Sequence, residues 1–226
     1  MLSITPLKLS AIPSDEEVLK AADALLESTS SWKEGKTFHK QVKTLHRAKG
    51  SEDGAAWHAR VSIHKPAEAT FTQMWSKLGE DKALNEMKFI PNIKKVTKVK
   101  EISATQSVWT LYYTFPPPIA PRVFTVVQIT RLNDSSPRSG TIVSIPVDLS
   151  EDQELAKLEE KGVKGRYASV ERILELEDGN LEWRMATSST PGGSIPTYFV
   201  ERSLPGQIAE DVPHFLKWLH SLPKTE

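Results

Sequence analysis

Two histidines and an arginine alternate along one predicted strand and are the first candidates for chemistry in this sequence. His58, Arg60 and His64 stand at positions i, i+2 and i+6, so their side chains share one strand face. Such a group could hold a metal ion or exchange protons. The alternative is the solvated face of a half-exposed sheet, which pairs one polar face with one apolar face. We favour the solvated face and assign no catalytic residue and no metal ligand here.

Arg172 is a charged residue in an otherwise apolar alternation. Val170 and Leu174 share its strand face, whereas Glu171 points the other way. An unpaired buried charge costs several kcal/mol, so an inward-facing arginine must find a partner. We predict that Arg172 lies at the wall of an internal cavity, where it meets a polar group of a ligand, an ordered water or a carboxylate. A strand-end arginine that reaches solvent, or a bulge of one residue that reverses the face, remains the alternative.

The local motifs of the common enzyme and metal-site classes are absent from the sequence. There is no cysteine, which excludes disulfides, thiol catalysis and cysteine-bound zinc. His-Glu-x-x-His, Gly-x-Ser-x-Gly, a phosphate-binding loop and a dinucleotide fingerprint are not found either. We therefore predict no cofactor and no metal, and we favour a binding protein over an enzyme.

Length and composition are those of an ordinary globular protein. The 226 residues fit one domain, 1–226, and 38% hydrophobic residues suffice for a core. The 29 basic and 29 acidic residues balance, so no net field attracts nucleic acid, and we expect no nucleic-acid partner. No apolar run approaches the roughly 18 residues that span a bilayer, and the first residues lack a signal-peptide pattern. We expect a soluble, cytoplasmic protein.

The predicted elements that position these residues follow the order helix, two strands, helix, about six strands and a long helix. Ser14 and Glu17 form a candidate capping box for the first helix, 14–31, and the core spans about 37–221. Pro66 fits the first turn of the second helix. An apolar stripe predicts the last helix over 207–220. The predicted strands lie near 37–45, 57–63, 93–102, 108–115, 122–132, 141–147, 167–176 and 181–189.

A curved antiparallel sheet of seven to nine strands, wrapped around the C-terminal helix, satisfies this order. The fold class is then α+β with a helix-grip architecture. Such a grip leaves a space between helix and sheet, which we predict to be an internal hydrophobic cavity. The acidic stretch 150–162 is expected to be an excursion on the surface.

Three proline-containing segments stand in a recognisable order along the chain. They are Phe89-Ile-Pro-Asn-Ile-Lys-Lys-Val96, Phe115-Pro-Pro-Pro-Ile-Ala-Pro-Arg-Val-Phe-Thr-Val-Val-Gln128 and Pro191-Gly-Gly-Ser-Ile-Pro196. Together they resemble the START (StAR-related lipid transfer) family over about 57–219, and in detail an uncharacterised fungal START-like family. Val123 departs from the pattern, since many members carry an acidic residue there, as does the stretch after Ser150. The resemblance implies a lipid-binding cavity closed by the C-terminal helix and a mobile loop.

Strand alternation and the helical stripe give the side chains that we predict to line the cavity. In a helix-grip fold the core and the cavity wall are one surface, so each residue could equally be plain core. The predicted ligand-binding residues are Trp57, Ala59, Val61, Trp109, Leu111, Tyr113, Phe115, Arg172, Leu174, Trp183, Met185, Ile208, Val212 and Phe215.

The loop 116–121 is the candidate gate of the cavity. Its prolines stop the strand ladder and stiffen the loop. Pro117, Pro118 and Ile119 are predicted to cover the cavity mouth or to contact a membrane transiently; an ordinary stiff connection is the alternative.

The sequence therefore predicts binding of a hydrophobic small molecule, a lipid such as a sterol or phospholipid, for non-vesicular transfer or sensing. An enzyme of the polyketide cyclase or isomerase type, acting on a hydrophobic metabolite in the same cavity, is the alternative. A protein-binding regulator without a small ligand is a third reading.

Overall fold

Five α-helices and eleven β-strands make up the part of the chain that the computed structural model describes, residues 2–51 and 53–223. The helices are α1 (Asp15–Ser28), α2 (Phe71–Leu78), α3 (Lys82–Phe89), α4 (Gln153–Ala156) and α5 (Thr197–Ser221). The strands are β1 (Leu7–Lys8), β2 (Lys33–Phe38), β3 (Val42–Arg47), β4 (Trp57–His64), β5 (Ile93–Glu101), β6 (Gln106–Tyr113), β7 (Arg122–Asn133), β8 (Ser139–Asp148), β9 (Val163–Lys164), β10 (Arg166–Glu175) and β11 (Leu181–Thr190). Two 3₁₀ turns, Leu9–Ala11 and Thr29–Ser31, flank α1.

One curved sheet contains all eleven strands. Nine of them form the order β2-β3-β4-β11-β10-β8-β7-β6-β5 with antiparallel neighbours throughout. The two-residue strands β1 and β9 add short parallel pairs to β8 and β7. The predicted antiparallel sheet and helix-grip architecture are confirmed.

The outer face of the sheet is covered by α1. Ser14 accepts a hydrogen bond from the backbone N–H of Glu17, whose side chain accepts one from Ser14, which forms the predicted capping box. The apolar stripe of α1 is buried against alternate residues of the central strands, because a helix stripe needs an apolar partner surface. This outer cluster includes Val18, Ala22, Leu25, Leu26, Trp57, Ala59, Val127, Ile129, Val143, Ile145, Val170 and Ala186.

The inner face is covered by α5 together with α2 and α3. Phe215 of α5 packs against Trp183 and Phe89, with ring centroids 5.1 Å and 5.4 Å apart. The predicted helix 207–220 is the buried part of a longer helix: burial begins at Ile208, and residues 198–206 before it are half-buried or exposed. Among the described helices none is long and apolar enough to cross a membrane.

Three local predictions differ from the structure. The single strand expected near 37–45 is the hairpin β2–β3, because His39 and Lys40 adopt the left-handed conformation with φ of 48° and 65°. The second helix begins at Phe71, where Thr70 provides the cap, so Pro66 lies before the helix. The short helix α3 had no counterpart in the sequence pattern.

Candidate ligand-binding site

The strand register decides which side chains of the sheet face α5. Trp183 of β11 contacts Phe215 of α5 and therefore marks the inner face. Met185, two residues further along β11, shares that face. It lies directly opposite Arg60 of β4 and Glu171 of β10, and residues directly opposite one another point to the same side. Arg60 and Glu171 therefore point inward, beneath the helices.

A buried network of charges occupies the centre of this inner face. The carboxylate of Glu171 accepts hydrogen bonds from Arg60 Nη2 at 3.0 Å, Lys82 Nζ at 2.5 Å and Trp183 Nε1 at 2.7 Å. Lys82 also pairs with Glu86, one turn further along α3, at 2.7 Å. Arg60 is 1% exposed and Glu171 is 3% exposed, and the Arg60 guanidinium lies 4.1 Å from the Trp183 ring centroid.

The partners in this network keep it ionised in spite of burial. Burial alone would raise the pKa of Glu171, but Lys82 and Arg60 hold that pKa below its usual value. Burial would likewise lower the pKa of Lys82, yet the carboxylates of Glu171 and Glu86 raise it. For Glu86 burial dominates and raises the pKa. The positive charges of Arg60 and Lys82 are thus balanced mainly by Glu171.

Hydrogen-bonding capacity is left over on the inner face. Within residues 2–51 and 53–223, Nε and Nη1 of Arg60 and Nδ1 of His64 have no partner. His64 Nε2 lies 2.8 Å from Ser62 Oγ, and burial lowers the pKa of His64 to about 4, so the imidazole is neutral. Buried donors without partners cost about 1–3 kcal/mol each, and more when charged. The free nitrogens of Arg60 are therefore suited to meet an oxygen atom of a ligand.

Three further polar side chains border the network. Burial raises the pKa of Asp211 on α5 to about 7 and raises the pKa values of Tyr113 and Tyr167. All three keep part of their surface accessible, as does Met185 between its buried strand neighbours.

Nine of the predicted ligand-binding residues lie on the inner face, on α5 or beside it. Trp109 and Leu111 belong to an apolar cluster with Ala83 of α3, Tyr113 packs beside it, and Phe115 lies 6.3 Å from Tyr113 between ring centroids. The other five residues of the nine are Trp183 and Met185 of β11 and Ile208, Val212 and Phe215 of α5. Contact between these residues and a ligand remains a prediction.

The predicted orientation of β4 is wrong. Trp57 and Ala59 belong to the outer cluster beneath α1, and Val61 shares their face. The polar alternates, which we had expected to be solvated, point toward α5 instead. The reason is that α1 covers the outer face and needs apolar contacts there. The apolar side chains of β4 therefore point outward and its polar side chains point inward, the reverse of our prediction.

The same inversion moves Arg172 and Leu174 to the outer face. The Arg172 guanidinium donates to Glu182 at 3.0 Å, and its side chain is 26% exposed. The prediction that Arg172 faces a cavity is therefore wrong, and the neighbouring residue Glu171 takes the inner position.

Sequence reasoning missed the network because its members come from distant segments. Arg60 stood on a strand face that we interpreted as solvated, and Lys82 lies on a helix that was not predicted. Asp211 gave a usable signal: it interrupts the buried stripe of α5 between Ile208 and Val212.

The candidate gate loop is exposed, and a buried arginine connects it to the turn that precedes α5. Pro117, Pro118 and Ile119 are all exposed, with Ile119 at 41%. Arg122, which is 3% exposed, donates to the carbonyl oxygen of Pro191 at 2.9 Å and to that of Ala120. One buried arginine thus connects the loop to the turn before α5.

The described residues contain no cluster of three or more histidine, aspartate or glutamate side chains arranged to hold a metal ion.

Comparison with known proteins supports this architecture. Human StAR-related lipid transfer protein 5 superposes with a TM-score of 0.75 at 14% identity, over 91% of this chain and 94% of that chain. Human STARD10 gives 0.77 at 12% identity, over 94% and 82%. A STAR-related lipid transfer protein fragment from Xanthomonas axonopodis gives 0.65 at 13% identity, over 84% and 99%. These identities show a shared fold only.

No curated protein matches the chain in sequence. Residues 57–219 match the model of a family described as a protein of unknown function, DUF3074. The chain belongs to the DUF3074 family and has a START-like fold.

Proposed function

We propose that this protein binds a lipid-like small molecule between α5 and the inner face of the sheet, and carries or senses it. The observation behind the proposal is the ionised network of Arg60, Glu171 and Lys82, which is buried beneath α5 and has free donor groups. The solved structures with the same fold include lipid transfer proteins, which is in keeping with a hydrophobic ligand.

Accessible surface inside the protein supports an enclosed cavity. Met185 lies in the middle of the sheet, and its cross-strand neighbours Arg60 and Glu171 are 1% and 3% exposed, yet Met185 itself is only half-buried. Asp211 approaches the same region from α5. Partial accessibility at this depth is expected where side chains line a space large enough for a ligand.

The distribution of side chains suggests how the ligand lies. Its polar group would accept hydrogen bonds from the free nitrogens of Arg60, because an ionised donor forms the stronger hydrogen bonds. Its hydrocarbon portion would pack against the apolar side of the inner face, around Trp109 and Leu111. Each methylene removed from water contributes about 0.8 kcal/mol, so the chain length sets most of the affinity.

Ligand exchange is proposed to take place at a membrane surface. Transfer of a hydrocarbon chain of about 16 carbons from the protein into water costs roughly 13 kcal/mol of free energy. Exchange of the ligand through bulk water is therefore disfavoured. The sheet cannot open without losing its ladder, whereas the exposed loop with Pro117, Pro118 and Ile119 can move while keeping its own hydrogen bonds. These residues remain the proposed gate and the site of transient membrane contact.

The test is to identify what the protein carries. Protein expressed in a eukaryotic host is analysed by native mass spectrometry and by extraction of bound compounds. Arg60→Lys keeps the positive charge but loses the planar donor group, and should change the polar class of the bound compound or empty the site. Arg172→Lys is the matched control on the outer face and should carry the same compound as the wild type.

If no apolar compound is bound, or if the two variants change the bound compound equally, the proposed site is wrong. Competent folding of both variants is checked by circular dichroism, so that loss of ligand is not mistaken for loss of structure.

A second candidate function is catalysis in the same space, and Asp211 is the observation that favours it. A carboxyl group with a pKa of about 7 is suited to general acid–base chemistry near neutral pH. If the protein is a carrier, Asp211→Asn should hold the same compound as the wild type. If the protein is an enzyme, Asp211→Asn should instead accumulate a different compound, the unreacted substrate.

A further inference from the structure

A pocket of about 600 Å³ opens at the seam between the β2–β3 hairpin and residues 198–206 of α5. We call it the seam pocket. Its volume lies in the range of small-molecule sites, about 300–1,000 Å³. Phe38 and Pro205 supply apolar walls, while His46 and His58 supply polar groups. The seam pocket does not include Arg60, Glu171 or Lys82.

His58 is a buried histidine that lines the seam pocket. It is 3% exposed, and among the described residues its Nδ1 has no hydrogen-bond partner. Its ring lies 4.9 Å from that of His46 between centroids. Burial, and to a smaller extent His46, lowers the pKa of His58 to about 4, so the ring is neutral. A neutral imidazole can donate a hydrogen bond from either nitrogen, because its tautomer follows the partner.

The rim of the seam pocket favours a negatively charged ligand group. Lys36 and Arg202 line it as cations, and Glu201 is the carboxylate among the lining residues. The Arg202 guanidinium donates to the Tyr198 hydroxyl at 3.1 Å, which holds one cation at the mouth. An anion entering the pocket would pass a net positive rim and then reach the desolvated His58.

We propose that the seam pocket is a second binding site, which takes the carboxylate of an amphipathic acid. His58 donates to the carboxylate, Lys36 and Arg202 attract it, and Phe38 and Pro205 pack against the alkyl chain. The site rests on the pocket and its histidine, and does not require that the charge network beneath α5 bind a lipid.

Sodium decanoate is the probe, used below its micelle concentration and followed through the ¹⁵N signals of the histidine side chains. A saturable shift of the His58 signals is expected, with His64 unchanged. His58→Phe should weaken decanoate binding at least about tenfold, since a hydrogen bond to a charged group is lost. Decanol, which has the same alkyl chain without the charge, should bind more weakly than decanoate.

Ser203→Trp tests the pocket without altering a buried residue, since Ser203 lies on the exposed side of α5 and lines the seam pocket. The bulky ring should abolish the His58 shift. Ser221→Trp is the matched control, an exposed serine at the other end of the same helix, and should bind decanoate like the wild type.

The proposal is overturned if decanoate gives no saturable shift at His58, if the shift persists in Ser203→Trp, or if decanol binds as tightly as decanoate. None of these outcomes decides whether a compound binds near Arg60, so a failure here is separate from a failure of the proposed function.

Discussion

The buried network makes Glu171→Gln the most informative single substitution. Glutamine preserves the volume of the side chain and can still accept a hydrogen bond from Trp183, but it removes the negative charge. Arg60 and Lys82 then lose the carboxylate that balances them, and Lys82 retains its pair with Glu86. The substitution thus tests the electrostatics of the network rather than its packing.

The expected loss follows from the number of groups left unbalanced. Removing one partner of a buried ion pair costs about 3–5 kcal/mol. Glu171 is one of the groups that raise the pKa of Asp211, so its neutralisation lowers that pKa and lets Asp211 ionise near Arg60. This compensation brings our expectation to about 2–3 kcal/mol of unfolding free energy. For a chain of this size the midpoint of thermal unfolding then falls by roughly 5–10 °C.

Urea unfolding at neutral pH measures the loss, and Glu182→Gln is the matched control. Glu182 accepts from Arg172 at 3.0 Å and from Arg184 at 2.7 Å, but its side chain is 12% exposed against 4% for Glu171. On the more solvated outer face the cost should be about 1 kcal/mol. Equal losses in the two variants would refute the claim that the inner network is the desolvated one.

Three further predictions concern stability. Burial holds the pKa of Asp211 at about 7, so the folded protein keeps a proton that the unfolded chain releases above about pH 4. The wild type therefore loses stability relative to Asp211→Asn between about pH 4 and 7, by up to about 1.4 kcal/mol per pH unit in urea unfolding, and a difference independent of pH would contradict this. A Cβ at Gly140 would overlap the Trp75 ring, so Gly140→Ala should cost about 1–3 kcal/mol. Gly206→Ala, whose Cβ would meet Phe38 at an ordinary 3.6 Å, is its control, and equal unfolding midpoints would contradict the overlap. Ser14→Ala should lower the unfolding free energy by about 1 kcal/mol through loss of the cap, and an unchanged midpoint in thermal denaturation would argue against it.

Strand positions followed from the sequence because they depend on local alternation and turn chemistry. The strands from β4 onward, the two-residue β9 apart, begin and end within about two residues of the predicted segments. The hairpin β2–β3 could not be recognised because His39 and Lys40 form its turn at positive φ, in place of the Asn-Gly or Asp-Gly pair that marks a tight hairpin in a sequence. The helix α3 is short, and it begins at Lys82 after Asp81, whose side chain forms no capping hydrogen bond.

The direction of each strand face could not be read from alternation. A period of two separates two sets of side chains, but it does not say which set lies inside. That choice depends on what covers each face, and the stripe of α1 around Val18 and Leu25 covers the outer one. The site residues Arg60 and Glu171 were therefore assigned to the wrong side, together with Arg172, while those of β6 and β11 were placed correctly.

This arrangement explains how a small domain keeps several charges in its interior. The outer cluster beneath α1 buries a continuous apolar surface and stabilises the sheet without any contribution from a ligand. The inner face can therefore carry Arg60, Glu171 and Lys82, whose balanced charges contribute little net stability of their own. A ligand that satisfies the free nitrogens of Arg60 and adds apolar surface beneath α5 would stabilise this second side. The unfolding midpoint should thus respond to a ligand bound beneath α5 through residues of the inner face.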